Sequence, residues 1–263
     1  MGGRWRDGPG LRDAVAAGPT RAATVIADVA RNVSGLNADV IRHRDERLAR
    51  LADRREKLHA AGHERVRARW EDTSIYVGRV VAELWDAVKD DPWRMVLRNS
   101  RLFPIGCWQY SDASDYLGHS GGAGVGYGPG AAVGGSLGAC EQGRSGVGII
   151  GDGDLLNSLG AIWTTVRYRI PLLLVVNDNE SFHNDEQHEC IVAEDRGRPV
   201  ANSWIGMRME DPTVDIATLA RGYGAWSAGP IEDGADLPKA IKDGAEVARG
   251  GGAAVAHVRT ARN

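Results

Sequence analysis

Cysteine is scarce in this chain of 263 residues: there are three in all, Cys107, Cys140 and Cys190, scattered and with no CxxC pair among them. That spacing excludes a zinc knuckle or a cysteine-ligated cluster, and it fits a reducing, cytoplasmic setting. Long apolar runs are missing too. None approaches the roughly 18 residues a membrane span requires. Arg4 and Arg6 are followed by no apolar segment, so a secretory signal is not expected. Charge of one sign is also lacking. Lys and Arg number 32 against 35 Asp and Glu, for a net charge of -3, which gives no basis for a nucleic-acid partner.

Glycine is what the sequence has in quantity, 35 residues with many between positions 118 and 153. A 43% hydrophobic composition is enough for one good core, and the length allows one or two domains. Residues 1–20 read as a Gly- and Arg-rich tail, and 21–35 as a short helix. From Asn37 to Trp70 acids and bases interleave, with Ile41, Leu48, Leu51 and Leu58 on a narrow seam. That pattern predicts a long, solvated helix for linking or partner docking. The division is therefore expected after residue 73, with residues 74–263 forming the main domain.

From Ser74 the signals alternate. Ser74 is expected to cap a helix running to about Asp90, with Val77, Val80, Val81, Leu84 and Val88 inward. Strands are expected at Met95–Leu97, Val147–Ile150, Leu172–Val176, Ala225–Ala228 and Ala253–Val258. Between them fall a small-residue helix near 128–140, helices at about 155–168 and 213–222, and a last helix capped by Asp236. Short apolar strands separated by helices imply a doubly wound α/β domain, a parallel sheet covered on both faces. A ligand then belongs outside the carboxyl ends of the strands.

Residues 151–179, GDGDLLNSLGAIWTTVRYRIPLLLVVNDN, carry the chemistry. Gly151 permits a tight turn where a strand ends, Asp152 projects from the sheet, and Gly153 lets backbone approach a ligand. The helix that follows presents free N–H groups to an anion. Asn179 lies just past the next strand, 27 positions on, so the two side chains can meet. One carboxylate, one amide oxygen and one backbone carbonyl suit Mg²⁺ or Ca²⁺.

This segment resembles the thiamine diphosphate (ThDP) motif of the acetolactate synthase and 2-oxoacid decarboxylase superfamily. The resemblance implies that Asp152, Asn179 and the carbonyl of Ser181 bind Mg²⁺, with Asp178-Asn179 standing where the family has an Asn-Asn pair. Residues 118–137 are similar to the family's glycine-rich stretch. This implies that Val125 wedges the cofactor into its bent shape and that the Ala123 carbonyl receives its 4′-amino hydrogen. Gly151, Gly153, Asp154 and Ser100 are implied as diphosphate neighbours, and Arg101 would suit a phosphate or substrate carboxylate, set against a merely solvated arginine. Similarity continues through SFHNDEQHE, RGRPVANSWIG, DPTVDIATLARGYG and GPIEDGADL.

The family also needs a pyrimidine domain, whose glutamate protonates N1′ of the cofactor. Residues 1–73 are too short and polar to be one, so a partner chain is expected to supply that glutamate in a hetero-oligomer with two copies of each chain. His119 and His183 are candidates for substrate contact or proton relay, set against an ordinary loop or surface role. Asp154, a second acid beside a diphosphate, is expected to cap a helix. Trp163 and Trp204 are expected in the core or an interface, and Cys107 and Cys190 lack a base partner.

The resemblance implies a lyase or carboligase, decarboxylase or acetolactate synthase-like, acting on a 2-oxoacid or 2-hydroxyacyl substrate. Two alternatives differ in class: the β subunit of a 2-oxoacid:ferredoxin oxidoreductase, whose cluster cysteines are absent here, and a non-catalytic ThDP-binding assembly subunit.

Overall fold

The computed structural model describes residues 38–98, 103–118 and 124–262. Two compact units divide it, residues 1–57 and 58–263, where the sequence draws its division after residue 73. The first unit's described part is helical and exposed along its length, including the seam residues Leu48 and Leu51.

Helix α1 spans Ala38–Ala68, and within the second unit its last turns bury Gly62 and Val66. Gly62 has a steric reason. A Cβ there would lie 2.7 Å from the Cα of Gly106, in the 3₁₀ turn Ile105–Cys107, so two glycines let backbone meet backbone. Then follow α2 (Val77–Val88), β1 (Trp93–Leu97), a second 3₁₀ turn (Ala113–Asp115) and α3 (Tyr127–Cys140). Next come β2 (Ser145–Gly151), α4 (Asp152–Leu156), α5 (Gly160–Arg167), β3 (Leu172–Asp178) and α6 (His183–Asp195). The chain closes with α7 (Ile216–Gly222), β4 (Trp226–Ile231), α8 (Leu237–Arg249) and β5 (Ala253–Arg259).

All five strands are parallel, in the order β1-β2-β3-β5-β4. Period-two alternation splits the core in two. Met95, Val147, Leu173 and Val175 pack with α2 and α8 on one face. Val96, Ile150, Leu174 and Val176 pack with α3, α5 and α7 on the other. Helices α3, α5 and α7 precede moves in one direction across the sheet. Only α8 accompanies the reversal from β4 back to β5, and it lies on the opposite face. A single crossover hand produces that change of face, so the expected doubly wound architecture is the one observed.

Several boundaries differ from expectation. Ser74 does not cap α2: Tyr76 holds the N-cap position with no side-chain hydrogen bond to the helix. The helix expected at 155–168 is two pieces, Asp152–Leu156 and Gly160–Arg167, and Asn157 closes the first by donating both its backbone N–H and its side-chain amide to the Gly153 carbonyl. Asp236 occupies the N-cap position of α8 without a side-chain cap bond. No described helix is long and apolar enough to cross a membrane.

Candidate functional site

Register builds the site. Gly151 on β2 pairs with Asn177 on β3, and one step further Asp152 stands beside Asp178. On the other side of β3, Asp178 pairs with Arg259 of β5 and Val176 with His257. The carboxyl ends of three adjacent strands thus bring Asp152, Asp178, His257 and Arg259 together.

Asp152 is 4% exposed, Asn179 7% and Ser181 5%, so the expected donors are buried and share one loop system. Burial, together with the neighbouring Asp178 carboxyl, pushes the Asp152 carboxyl up to about 8, against the Gly153 and Glu180 N–H groups that favour its charged form. For Asp178 burial works the same way. It is outweighed by His257, Asp152, the Glu180 N–H and Arg259, which hold Asp178 below the usual carboxylate range. His257 Nε2 lies 2.5 Å and Arg259 Nη1 2.8 Å from Asp178 Oδ2. Asp178 is thus the member of the pair held toward its charged form, and Asp152 the member pushed toward its protonated form.

Two buried carboxyls side by side call for a shared proton or a cation. With the Asn179 amide and the Ser181 carbonyl beside them, the donors are hard oxygens of the kind Mg²⁺ selects. Among the described residues no cluster of three or more His, Cys, Asp or Glu could hold a metal, which sets this mixed oxygen set apart from a transition-metal centre. The residues present fit Mg²⁺. In this structure the Asn179 Oδ1 accepts from the Ser181 N–H at 3.1 Å, and the Asn179 side chain would turn from that bond to reach a metal.

Gly153 has a steric reason within the fold. A Cβ there would come 2.4 Å from the Phe182 ring, so the glycine admits the aromatic that follows the metal loop. Asp154 does cap a helix, but not its own. Its Oδ1 accepts from the Gly126 N–H at 2.5 Å and, more weakly, from Gly128 at 3.4 Å. Gly126, with φ 91°, is the N-cap residue of α3 and has no side chain to cap with. Asp154 supplies that function across 28 residues of sequence, and its carboxylate is committed there. Ser158 Oγ adds a bond to the Gly126 carbonyl at 3.2 Å. The glycine-rich segment is tied in this way to the strand end that carries Asp152.

Val125 is 52% exposed at the start of that segment, and Gly151 opens onto free space. Ser100, Arg101, His119 and Ala123 lie outside the described residues. His183 opens α6 and sits 3.8 Å from Glu186 and 2.9 Å from Gln187. Trp163 and Trp204 are 51% and 44% exposed, so neither is a core residue. Sequence reading missed His257, Arg259, Arg208 and Arg262, all of which contact the loop 178–181 or its immediate supports, among them Glu186. These four stand far from the motif in sequence: the strand order brings in His257, Arg259 and Arg262, and an isolated bridge between Ser181 and Arg208 brings in Arg208.

Comparison with known proteins places this geometry. The profile described as "Thiamine pyrophosphate enzyme, C-terminal TPP binding domain" matches residues 104–258, more than half of the chain. Among solved structures, the thiamine diphosphate-dependent 4-hydroxybenzoylformate decarboxylase of Rhodococcus jostii RHA1 is 23% identical, with TM-score 0.60, over 72% of this chain and 33% of its own. Benzoylformate decarboxylase from Polynucleobacter necessarius is 22% identical, with TM-score 0.56, over 70% and 33%. A Mycobacterium smegmatis protein described as thiamin diphosphate-dependent is 25% identical, with TM-score 0.52, over 70% and 31%. The chain spans about a third of the length of these structures. No curated protein sequence matches it.

Proposed function

We propose, since this chain belongs to the thiamine pyrophosphate enzyme family by its C-terminal TPP-binding domain, that it is the diphosphate-binding part of a Mg²⁺- and ThDP-dependent lyase or carboligase acting on a 2-oxoacid or 2-hydroxyacyl substrate. The observation that carries this reading is the buried Asp152–Asp178 pair beside Asn179 and Ser181 at adjoining strand ends. Asp152, Asn179 and the Ser181 carbonyl would hold Mg²⁺, and Mg²⁺ would hold the diphosphate. Bound there, ThDP supplies a carbon nucleophile and an electron sink for breaking or making a bond next to a carbonyl.

The chain's own residues bind, orient and exclude water. Asp178, charged and fixed by His257 and Arg259, offsets positive charge next to Asp152. Phe182 packs its ring on Gly153 and so ties the loop to the strand end that carries Asp152. Val125 is placed to support the cofactor's bend. His183 is a candidate for proton transfer at the substrate. The activating glutamate and the rest of the substrate pocket are proposed to come from a pyrimidine domain on a partner chain, with residues 38–68 as a docking element.

The test is calorimetric titration of ThDP with Mg²⁺ into the chain alone and into its mixture with a pyrimidine-domain partner, followed by turnover of benzoylformate and aliphatic 2-oxoacids. Binding and turnover restricted to the mixture support the proposal. Absence of both in the mixture refutes it.

A further inference from the structure

Asp178 ends β3 and Asn179 to Ser181 make the loop past it, and side chains from elsewhere grip each of these four residues. Asp178 is hydrogen-bonded to His257 and Arg259. The Asn179 carbonyl accepts from Arg262 Nε at 2.8 Å. The Glu180 carboxylate pairs with Arg259 at 2.8 Å and Arg262 at 3.7 Å. Ser181 Oγ donates to Glu186 at 2.9 Å.

The grips are themselves joined. Glu186 meets Arg208 at 3.0 Å, Arg208 meets Glu210 at 3.5 Å, and Glu210 meets Arg262 at 2.5 Å. Charges therefore alternate without a break from Glu186 through Arg208, Glu210, Arg262, Glu180 and Arg259 to Asp178, and both ends of the series rest on the loop. Backbone pairing adds to it, with the Met209 N–H on the Glu180 carbonyl and the Phe182 N–H on the Met207 carbonyl, both at 2.8 Å.

The loop needs such support. Glu180 has φ 55°, the left-handed region that L residues avoid. A single half-exposed ion pair holds little. Several of them converging on four residues fix each residue relative to the next, and side chains that orient metal-binding groups control affinity from outside the ligand set.

Resting on the cofactor reading above, we propose that Arg208, Arg259 and Arg262 are positioning residues: their alternating-charge clamp presets the backbone of residues 178–181, so that the Ser181 carbonyl stands ready for the metal and only the Asn179 side chain turns to meet it.

Two readouts on the chain with its pyrimidine-domain partner test this. Amide hydrogen exchange, measured without cofactor, reads the clamp itself. In Arg259→Gln and Arg262→Gln, exchange at Glu180 and Ser181 is expected to quicken at least about 10-fold while Leu174 and Val175 in β3 stay unchanged, since loss of outer supports frees the loop but not the core. Calorimetry reads the consequence: the ThDP dissociation constant in Mg²⁺ is expected to rise about 10–100-fold. Arg262→Lys, which keeps charge but loses the fork, is expected to fall between. Glu180→Gly separates charge from conformation, because glycine adopts the same φ freely, and it too is expected to weaken binding.

Unchanged exchange at Glu180 and Ser181, or equal acceleration in β3, overturns the clamp. Unchanged affinity in Glu180→Gly and both Gln variants overturns its role in preparing the metal site. If the wild type itself binds no ThDP with Mg²⁺, the cofactor reading has failed, and with it the positioning role, even where exchange still reports a clamp.

Discussion

Removing the Asp154 carboxylate isolates one device that joins the glycine-rich segment to the metal-site strand. In Asp154→Ala the Gly126 and Gly128 N–H groups lose their acceptor, and α3 loses the side chain that caps its first turn. Loss of an N-cap costs about 1 kcal/mol, and loss of a negative charge at a helix N-terminus about 0.3–1 kcal/mol more. The total, about 1.3–2 kcal/mol, lowers the melting temperature of a domain this size by about 3–8 °C. Asp154→Asn keeps an acceptor but not the charge, so its loss should be about half as large. Differential scanning calorimetry of the cofactor-free protein measures both, and hydrogen exchange at Gly126 and Gly128 localises the effect. A melting temperature within a degree of wild type for Asp154→Ala, or an Asn variant less stable than Ala, would refute the capping role.

Other outcomes follow from single contacts. Gly153→Ala drives a methyl into the Phe182 ring, so it should cost about 1–3 kcal/mol in urea unfolding and weaken ThDP binding as the loop shifts. Asp115 is buried. Burial opposes its charge but is outweighed by the Asp112 and Ser111 N–H groups, Ser111 Oγ and Arg144, so its carboxyl sits below the usual range. A lowered folded pKa gives stability that is present above the unfolded value near 3.9 and is lost as pH falls through the folded one. The stability gap between wild type and Asp115→Asn should therefore close in acid, as read by urea midpoints across pH. Cys107 is 1% exposed and burial pushes its thiol up, whereas Cys140 is exposed. Iodoacetamide should label Cys140 in the native protein and reach Cys107 only on unfolding, with peptide mapping as the check.

What was legible in the sequence had a local cause. The apolar run Leu172–Val176 could only be a strand buried on both faces, and the GDG string at a strand end announced Asp152. Asn179 came from the end of a second strand that a parallel sheet sets beside the first, whereas Ser181 came from the family resemblance alone. Helix α6 was not legible because HNDEQHECIVAED has no apolar stripe; Glu186 is its one buried residue, and that residue is held by an ion pair rather than by packing. His257 and Arg259 read as ordinary members of an apolar strand. Their meeting with Asp178 depends on β5 returning beside β3, and no local pattern encodes that strand order. Asp154 was legible as a cap, but its target lies on another helix, a contact that forms only when α3 packs against β2 and α4.

The central claim is that Asp152, Asn179 and the Ser181 carbonyl hold Mg²⁺ and, through it, a diphosphate. The most direct measurement is ThDP affinity by calorimetry for wild type and Asp152→Ala, each with the pyrimidine-domain partner, in Mg²⁺ and in EDTA. Mg²⁺-dependent binding in wild type that is abolished both by EDTA and by Asp152→Ala is the predicted result. Equal affinity for the two proteins in Mg²⁺ would contradict it.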